Sequence, residues 1–385
     1  ELYVAVHAKA GFSTGIKWVL VSMMQSPHAV YRSEIGVADG EQRVLTAPEV
    51  ATALAYDFAG TTPSEELLAQ AERGELASAE SRVKAARALL ETKRGRKNVH
   101  RFMDEWIEYK HIRGKTRDGV ENFSSVSAHM VKETEAFVEQ VLYAEDGGID
   151  DLLTAPYTML NAELATYYGY GKATGDEWAK VSRPDSWGVG LLAQGAVLAA
   201  HSHTNSTSPT LRGMVVYTRL LCQTMPAPPA DIPPIVEPAP GKVTTRERYE
   251  KQHVAVDTCR SCHQYSDPPG FAMEHFDAAG RFRADEDGLP IDTSGSIPFG
   301  GGAQAVDGQA DLAAELAASE ETQFCVSSLV ATYTYGGTHG GVANGACAVA
   351  GPQQALLDGK IGLLSYWAKL AGQPHFTTRT LHDGG

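Results

Sequence analysis

The chain has 385 residues, with 33 Lys and Arg against 47 Asp and Glu, and a formal net charge of −14 at pH 7. That length admits two or three domains with ample core. The acidic balance, with no Lys/Arg cluster interleaved with aromatics, argues against nucleic acid and anionic membrane surfaces as partners. No run approaches the roughly 18 apolar residues of a bilayer span, so no transmembrane segment is expected. No basic segment followed by an apolar one marks an export signal, and Glu1-Leu2-Tyr3-Val4 starts in mid-pattern, which reads as a chain whose upstream part is missing.

The first zone, residues 1–170, reads as a helical domain. Ile16 to Met24 is a largely apolar helical run ending before Ser26-Pro27. Thr46, Pro48 and Glu49 form a cap, an early proline and an acidic first turn, so a helix is predicted through Phe58; Thr62-Pro63-Ser64-Glu65-Glu66 repeats that start. Ser81 to Leu90 and Asn98 to Tyr109 are amphipathic segments joined by a basic turn, Lys93 to Lys97. Ser124 to Tyr143 is predicted as the longest helix, and Phe102, Trp106 and Phe137 as core residues.

The second zone, 171–300, is loop-rich. Val189 to Ala200 precedes a hydroxyl-rich polar run, His201 to Pro209, then Arg212 and the short apolar segment Met214 to Leu221. Pro226, Pro228, Pro229, Pro233 and Pro234 make a stiff, extended linker. Thr244 and Thr245 cap a helix towards Asp257, with Tyr249, His253 and Val256 on its inner face. Then comes Cys259-Arg260-Ser261-Cys262-His263, followed by Asp267-Pro268-Pro269-Gly270, predicted as a stop and turn. The third zone, 301–385, closes with helices over Asp311–Ser319 and Thr322–Tyr335. A glycine-rich stretch at 295–308 precedes them, and the polar tail from 372 is expected to fray. The fold class is therefore mainly α, multi-helical with long loops and a cytochrome-c-like haem attachment region in the C-terminal part.

Two thiols three residues apart can each add to a haem vinyl group, and the histidine after them can ligate the iron. One covalent haem c on Cys259, Cys262 and His263 is the leading reading. Two others stay open: a zinc or iron site on the same three residues, which lacks a nearby fourth ligand, and a disulfide or thiol pair. Cys222, Cys325 and Cys347 remain, so at most one disulfide forms among them. Cys325 and Cys347 flank a glycine segment that such a bond would close, and buried thiols are the alternative. A bridge would suit an oxidising compartment, as haem c attachment does, so a periplasmic, outer-membrane-associated or extracellular location is expected.

Several strings resemble the planctomycete and myxobacterial cytochrome-like proteins built from consecutive domains of unknown function 1592, 1588 and 1585. Ser26-Pro27-His28 with Tyr31 to Glu34 resembles the opening of the first domain. Leu152 to Thr154, Tyr157, Asn161, Leu164-Ala165 and Tyr167 to Gly169 resemble its close. Gly190 to Leu192, Thr207-Ser208-Pro209 with Arg212-Gly213, Leu221-Cys222 and Pro226 with Pro228-Pro229 resemble the entry into the second domain. Cys259 to His263, Asp267 to Phe271, Glu274, Phe276-Asp277, Gly280 and Arg281 to Arg283 are similar to its haem-site string. Asp307-Gly308, Leu312, Phe324-Cys325 and Tyr335 resemble the third, although Gly336-Gly337-Thr338 stands where that domain has Gly-Arg. The resemblance implies a cytochrome-like haem protein without a defined activity.

The sixth iron ligand separates electron transfer from chemistry on a bound molecule. Met273 is the one methionine after His263; it either reaches over the ring or packs against the haem edge or core. His203, Met225, His201 and His339, ranked in that order, are the distant candidates, each alternatively a plain loop residue, and His253 is expected on the proximal side. Arg281 and Arg283 can hold haem propionates bidentately, with Asp267 and Asp277 fixing the arginines or capping turns; a surface salt bridge is the plainer reading. An electron-transfer protein with a redox partner protein leads, ahead of a haem enzyme with peroxidase-like or oxidase activity and a protein in which haem is mainly structural.

Overall fold

Each helix-start signal in the first zone closes a cap. In the computed structural model, which describes residues 1–170, 175, 177–227, 243–255, 257–336 and 346–380, Thr46 and Glu49 form a reciprocal capping box at the head of helix Ala47–Ala59. Ser64 caps Glu65–Glu72 and Ser78 caps Ala79–Glu91. The basic segment 93–97, expected as a turn, is instead the first turn of helix Lys93–Ile107. Thr92 Oγ1 accepts from the Gly95 amide at 3.0 Å, and Gly95 packs its bare backbone onto Leu89 and Leu90. The preceding helix stops at the extended Thr92, so the corner needs no linker.

Helix Phe123–Glu139 runs on into a wider π turn, Gln140–Ala144. At 17 residues before that turn it is the longest unbroken helix among the described residues, as expected; Leu2–Met24 is two helical pieces meeting at the non-helical Gly11 (φ 78°) and is largely exposed. Phe102, Trp106 and Phe137 are buried as expected. Phe102 meets Trp367 and Tyr333 edge-on, with centroids 5.3 and 5.4 Å apart.

Strand pairing is sparse, and the fold is mainly α. The glycine-rich stretch at 295–308 forms an antiparallel hairpin, Ser294–Phe299 with Gly302–Asp307, registered Ser294↔Asp307 to Phe299↔Gly302. The tail does not fray where described. Phe376 is buried beside Phe58, and Thr378–Thr380 pairs with Gln42–Val44, the second strand of a hairpin that begins at Val37–Asp39. Helices Gln309–Ala318 and Glu320–Tyr335 match the closing pair, and Ala346–Leu357, Leu363–Leu370 and the short Pro374–Thr377 follow among the described residues.

One apolar cluster takes in Leu54, Phe137, Leu198, Met273, Leu316 and Trp367, so side chains from all three zones share a core. Cys325 is bonded not to Cys347 but to Cys222, with Cα atoms 5.5 Å apart across 103 residues of sequence. The side chain of Cys347 lies outside the described residues.

Candidate functional site

Thr244 and Glu247 form a capping box for helix Thr245–Tyr249, and a π turn, Glu250–Val254, follows. Tyr249 is buried, as its inner-face position predicted; residue 256 and the side chain of His253 lie outside the described residues. The next element departs from expectation. Cys259 to His263 and Asp267 to Gly270 all belong to one helix, Asp257–Phe271, rather than to an attachment loop and a stop. Pro268 and Pro269 delete the backbone bonds that would return to Gln264 and Tyr265, which both lie on the exposed side.

Tertiary contacts keep that helix going. The short helix Pro209–Met214, capped by Ser208, crosses it backbone to backbone. A Cβ on Gly213 would run into the Ser266 carbonyl, and one on Gly270 into the Pro209 carbonyl. Only glycine permits this approach.

Along the motif helix, Cys259, Cys262 and His263 stand at i, i+3 and i+4, which places both sulfurs and the imidazole on one face. Both cysteines are partly exposed free thiols. His263 is directed by Asp267 one turn on: Nδ1 lies 3.0 and 3.1 Å from the two carboxylate oxygens. A carboxylate can only accept, so Nδ1 carries the proton and Nε2 is the nitrogen suited to a metal. Asp267 is fully buried, and it also accepts from Thr210 Oγ1 at 2.7 Å and Ser266 Oγ at 3.1 Å. Asp267 therefore serves His263 rather than the arginines.

Two partly exposed thiols one turn apart, with an adjacent histidine held by its Nδ1, fit the donor set of a covalently attached haem. Leu211 and Tyr265 are each about two-fifths exposed near this crossing, and Tyr265 stacks on Tyr217 at 5.9 Å. Among the described residues, no three His, Cys, Asp or Glu side chains gather as a metal-ion site.

Arg281 and Arg283 lie past the C-terminal end of the motif helix, whereas the cysteines occupy its first two turns. Arg281 pairs with Asp277 at 2.9 Å; Arg283 pairs with Glu274 at 3.0 Å and with Glu286 at 3.5 Å. Both line a cleft of about 480 Å³ with Arg117, Arg248 and the 204–207 loop. Asp277 fixes Arg281, as anticipated.

The axial candidates are scattered. Met273 is buried in the shared core. His203 is exposed on its loop, where its amide donates to the Ser206 carbonyl. His201 is directed at the Ile107 carbonyl (Nε2 at 3.1 Å) beside Trp106, Leu211 and Met214, and burial lowers its pKa. Met225 is half-buried three residues after the disulfide, and His339 lies outside the described residues.

The feature least visible beforehand is Arg212. Its buried guanidinium donates to the carbonyls of Met273, Phe276 and Asp277 and to Ser202 Oγ, and it faces Glu274 at 3.6 Å. Thr207 donates to the same carboxylate at 2.7 Å. Burial lowers the Arg212 pKa and raises that of Glu274, so the pair is held by its hydrogen bonds against a desolvation cost. Thr207, Pro209, Thr210, Arg212 and Gly213 thus all engage the stretch from His263 to Asp277.

Residues 45–170 match the family model for PSD4, a protein of unknown function (DUF1592), and residues 189–286 match that for PSCyt3, a protein of unknown function (DUF1588). The chain carries both domains in that order. No curated protein and no solved structure matches it.

Proposed function

We propose that this chain is an exported c-type cytochrome-like protein that binds one covalent haem through Cys259 and Cys262, with His263 as proximal ligand, and transfers electrons. The observation that carries this reading is the common face of the two free thiols and the imidazole, with Nδ1 committed to a buried carboxylate. When bound, haem supplies a one-electron couple. The chain's own residues fix the ring nitrogen that meets iron and keep the thiols apart from the one disulfide seen among the described residues. That disulfide supports export, since such bonds persist in oxidising compartments. The acidic net charge suits steering towards a basic redox partner protein. Residues 301–385 are proposed as the domain of unknown function 1585, on the residues that resemble it. The carboxylate on His263 favours a second reading, a haem enzyme acting on peroxide or a small substrate.

The test is expression in a host with haem-c maturation, followed by mass spectrometry and a pyridine haemochrome spectrum. The expected result is the mass of one haem and a c-type spectrum, lost or made labile by Cys262→Ala; absence of both in the wild type overturns the proposal. A low-spin ferric spectrum supports electron transfer through a filled sixth site, with His203 ahead of Met225 and Met273. A high-spin spectrum with rapid cyanide or peroxide binding supports the second reading.

A further inference from the structure

A histidine that follows CxxC needs something on Nδ1 to fix its ring, and a neutral backbone carbonyl would suffice. Here the partner is a carboxylate. Asp267 is fully buried one helical turn after His263 and lies within 3.1 Å of Nδ1 through both oxygens. Its position is over-determined. Thr210, from the crossing helix, donates to Oδ1 at 2.7 Å and also lies 3.3 Å from His263 Nδ1; Ser266 adds a second hydroxyl at 3.1 Å. The close approach at Gly213 and Gly270 locks the helix that carries Thr210 against the helix that carries His263. This is a built support for one imidazole.

A carboxylate on the far nitrogen of a ligating histidine raises its basicity and fixes its tautomer. A more strongly donating imidazole, with a buried negative charge behind it, stabilises the more positively charged ferric ion over the ferrous one. We propose that Asp267 is a positioning residue which, with Thr210, orients His263 and makes it a strongly donating axial ligand, setting the haem iron to a low reduction potential. The inference rests on the haem reading above. It goes beyond that reading by naming the group that tunes the centre and the direction of the tuning.

The experiment uses the full chain matured with haem in its wild-type, Asp267→Asn and Thr210→Val forms. Three readouts are taken: haem content, midpoint potential by spectroelectrochemical titration, and proton NMR of the axial histidine ring in the ferric cyanide adduct. Haem content is expected to stay level, because attachment depends on the thiols. The potential is expected to rise in Asp267→Asn and to rise less in Thr210→Val, with the ring resonances moving in the same order. Asp267→Glu, which keeps the charge, is expected to recover part of the wild-type potential.

A wild-type chain that takes up no haem overturns both readings. Haem-loaded variants with the wild-type potential overturn the role of Asp267 alone and leave the haem proposal standing. If Asp267→Asn yields no folded holoprotein, Thr210→Val and the wild-type spectrum decide. An unchanged potential in Thr210→Val, together with no strongly shifted Nδ1 proton in the wild type, overturns the proposal.

Discussion

Breaking the Cys222–Cys325 bond tests whether the segment that carries Cys259 to His263 is held by its ends. The bond closes a loop of 103 residues that contains Cys259 to His263, the carbonyls that Arg212 meets and the 294–307 hairpin. The chain-entropy relation for a loop of that length gives about 4.7 kcal/mol of stabilisation through the unfolded state. A domain's whole stability is about 5–15 kcal/mol, so this one bond supplies a third of it or more. The perturbation is Cys222→Ser with Cys325→Ala, since Cys325 is buried and a hydroxyl there would add a desolvation cost of its own. Urea unfolding is followed by far-ultraviolet circular dichroism and by tryptophan fluorescence, and coincident transitions justify a two-state reading. Reduced wild type and the double variant are expected to agree with each other and to lie about 3–5 kcal/mol below the oxidised protein. A loss below about 1 kcal/mol would refute the reasoning, because the loop ends would then be constrained in the unfolded ensemble without the bond.

Two further outcomes follow from packing and protonation. Gly213→Val forces a side chain into the Ser266 carbonyl and separates the crossing helices, so a loss of about 1–3 kcal/mol or more is expected in the same unfolding assay. Burial lowers the pKa of His201 from its ordinary 6.5. The unfolded chain therefore binds the proton first, and this contribution to stability is complete above about pH 6.5 and lost as pH falls through the lower folded value. His201→Gln is expected to flatten that part of the stability–pH curve, and an unchanged slope refutes the assignment.

The helical class and most helix starts were legible because they rest on local chemistry. Thr46 with Glu49 and Ser64 act through atoms three residues away, and a linear reading sees them; Ser78 caps in the same way but was passed over for a start at Ser81. What the reading missed rests on one residue with two local roles and on distant sequence. Lys93 to Lys97 looks like a turn until Thr92 is recognised as both the end of one helix and the cap of the next. The tail from 372 looks polar because its anchor, Phe376, is a single residue, and its strand partner lies near residue 43.

The motif helix is the instructive case. Asp267-Pro268-Pro269-Gly270 has the composition of a turn, and local propensity alone ends the helix there. Gly213 and Gly270 override it through a backbone crossing that no local pattern encodes. Once the helix is continued, His263 and Asp267 stand at i and i+4, and that spacing was the available signal; the expected stop concealed it.

The same crossing bears on how the chain divides. Thr207, Thr210 and Arg212 precede the 228–242 segment in sequence, yet they hydrogen-bond to His263, Asp267, Met273, Glu274 and Phe276, which follow it. Upstream of them, Arg117 donates to the Ala278 carbonyl at 2.7 Å and Tyr167 to the Ala279 carbonyl at 3.0 Å, so the first domain also reaches the end of the second. A segment cut out from residue 241 onward would keep both thiols and His263 but lose Thr210, and with it a hydroxyl that supports Asp267. It would also uncover Glu274, Met273 and Phe276 on the face that Arg212 now satisfies. The two thiols and His263 lie on one helix, but the orientation of that histidine draws on side chains from both sides of residues 228–242.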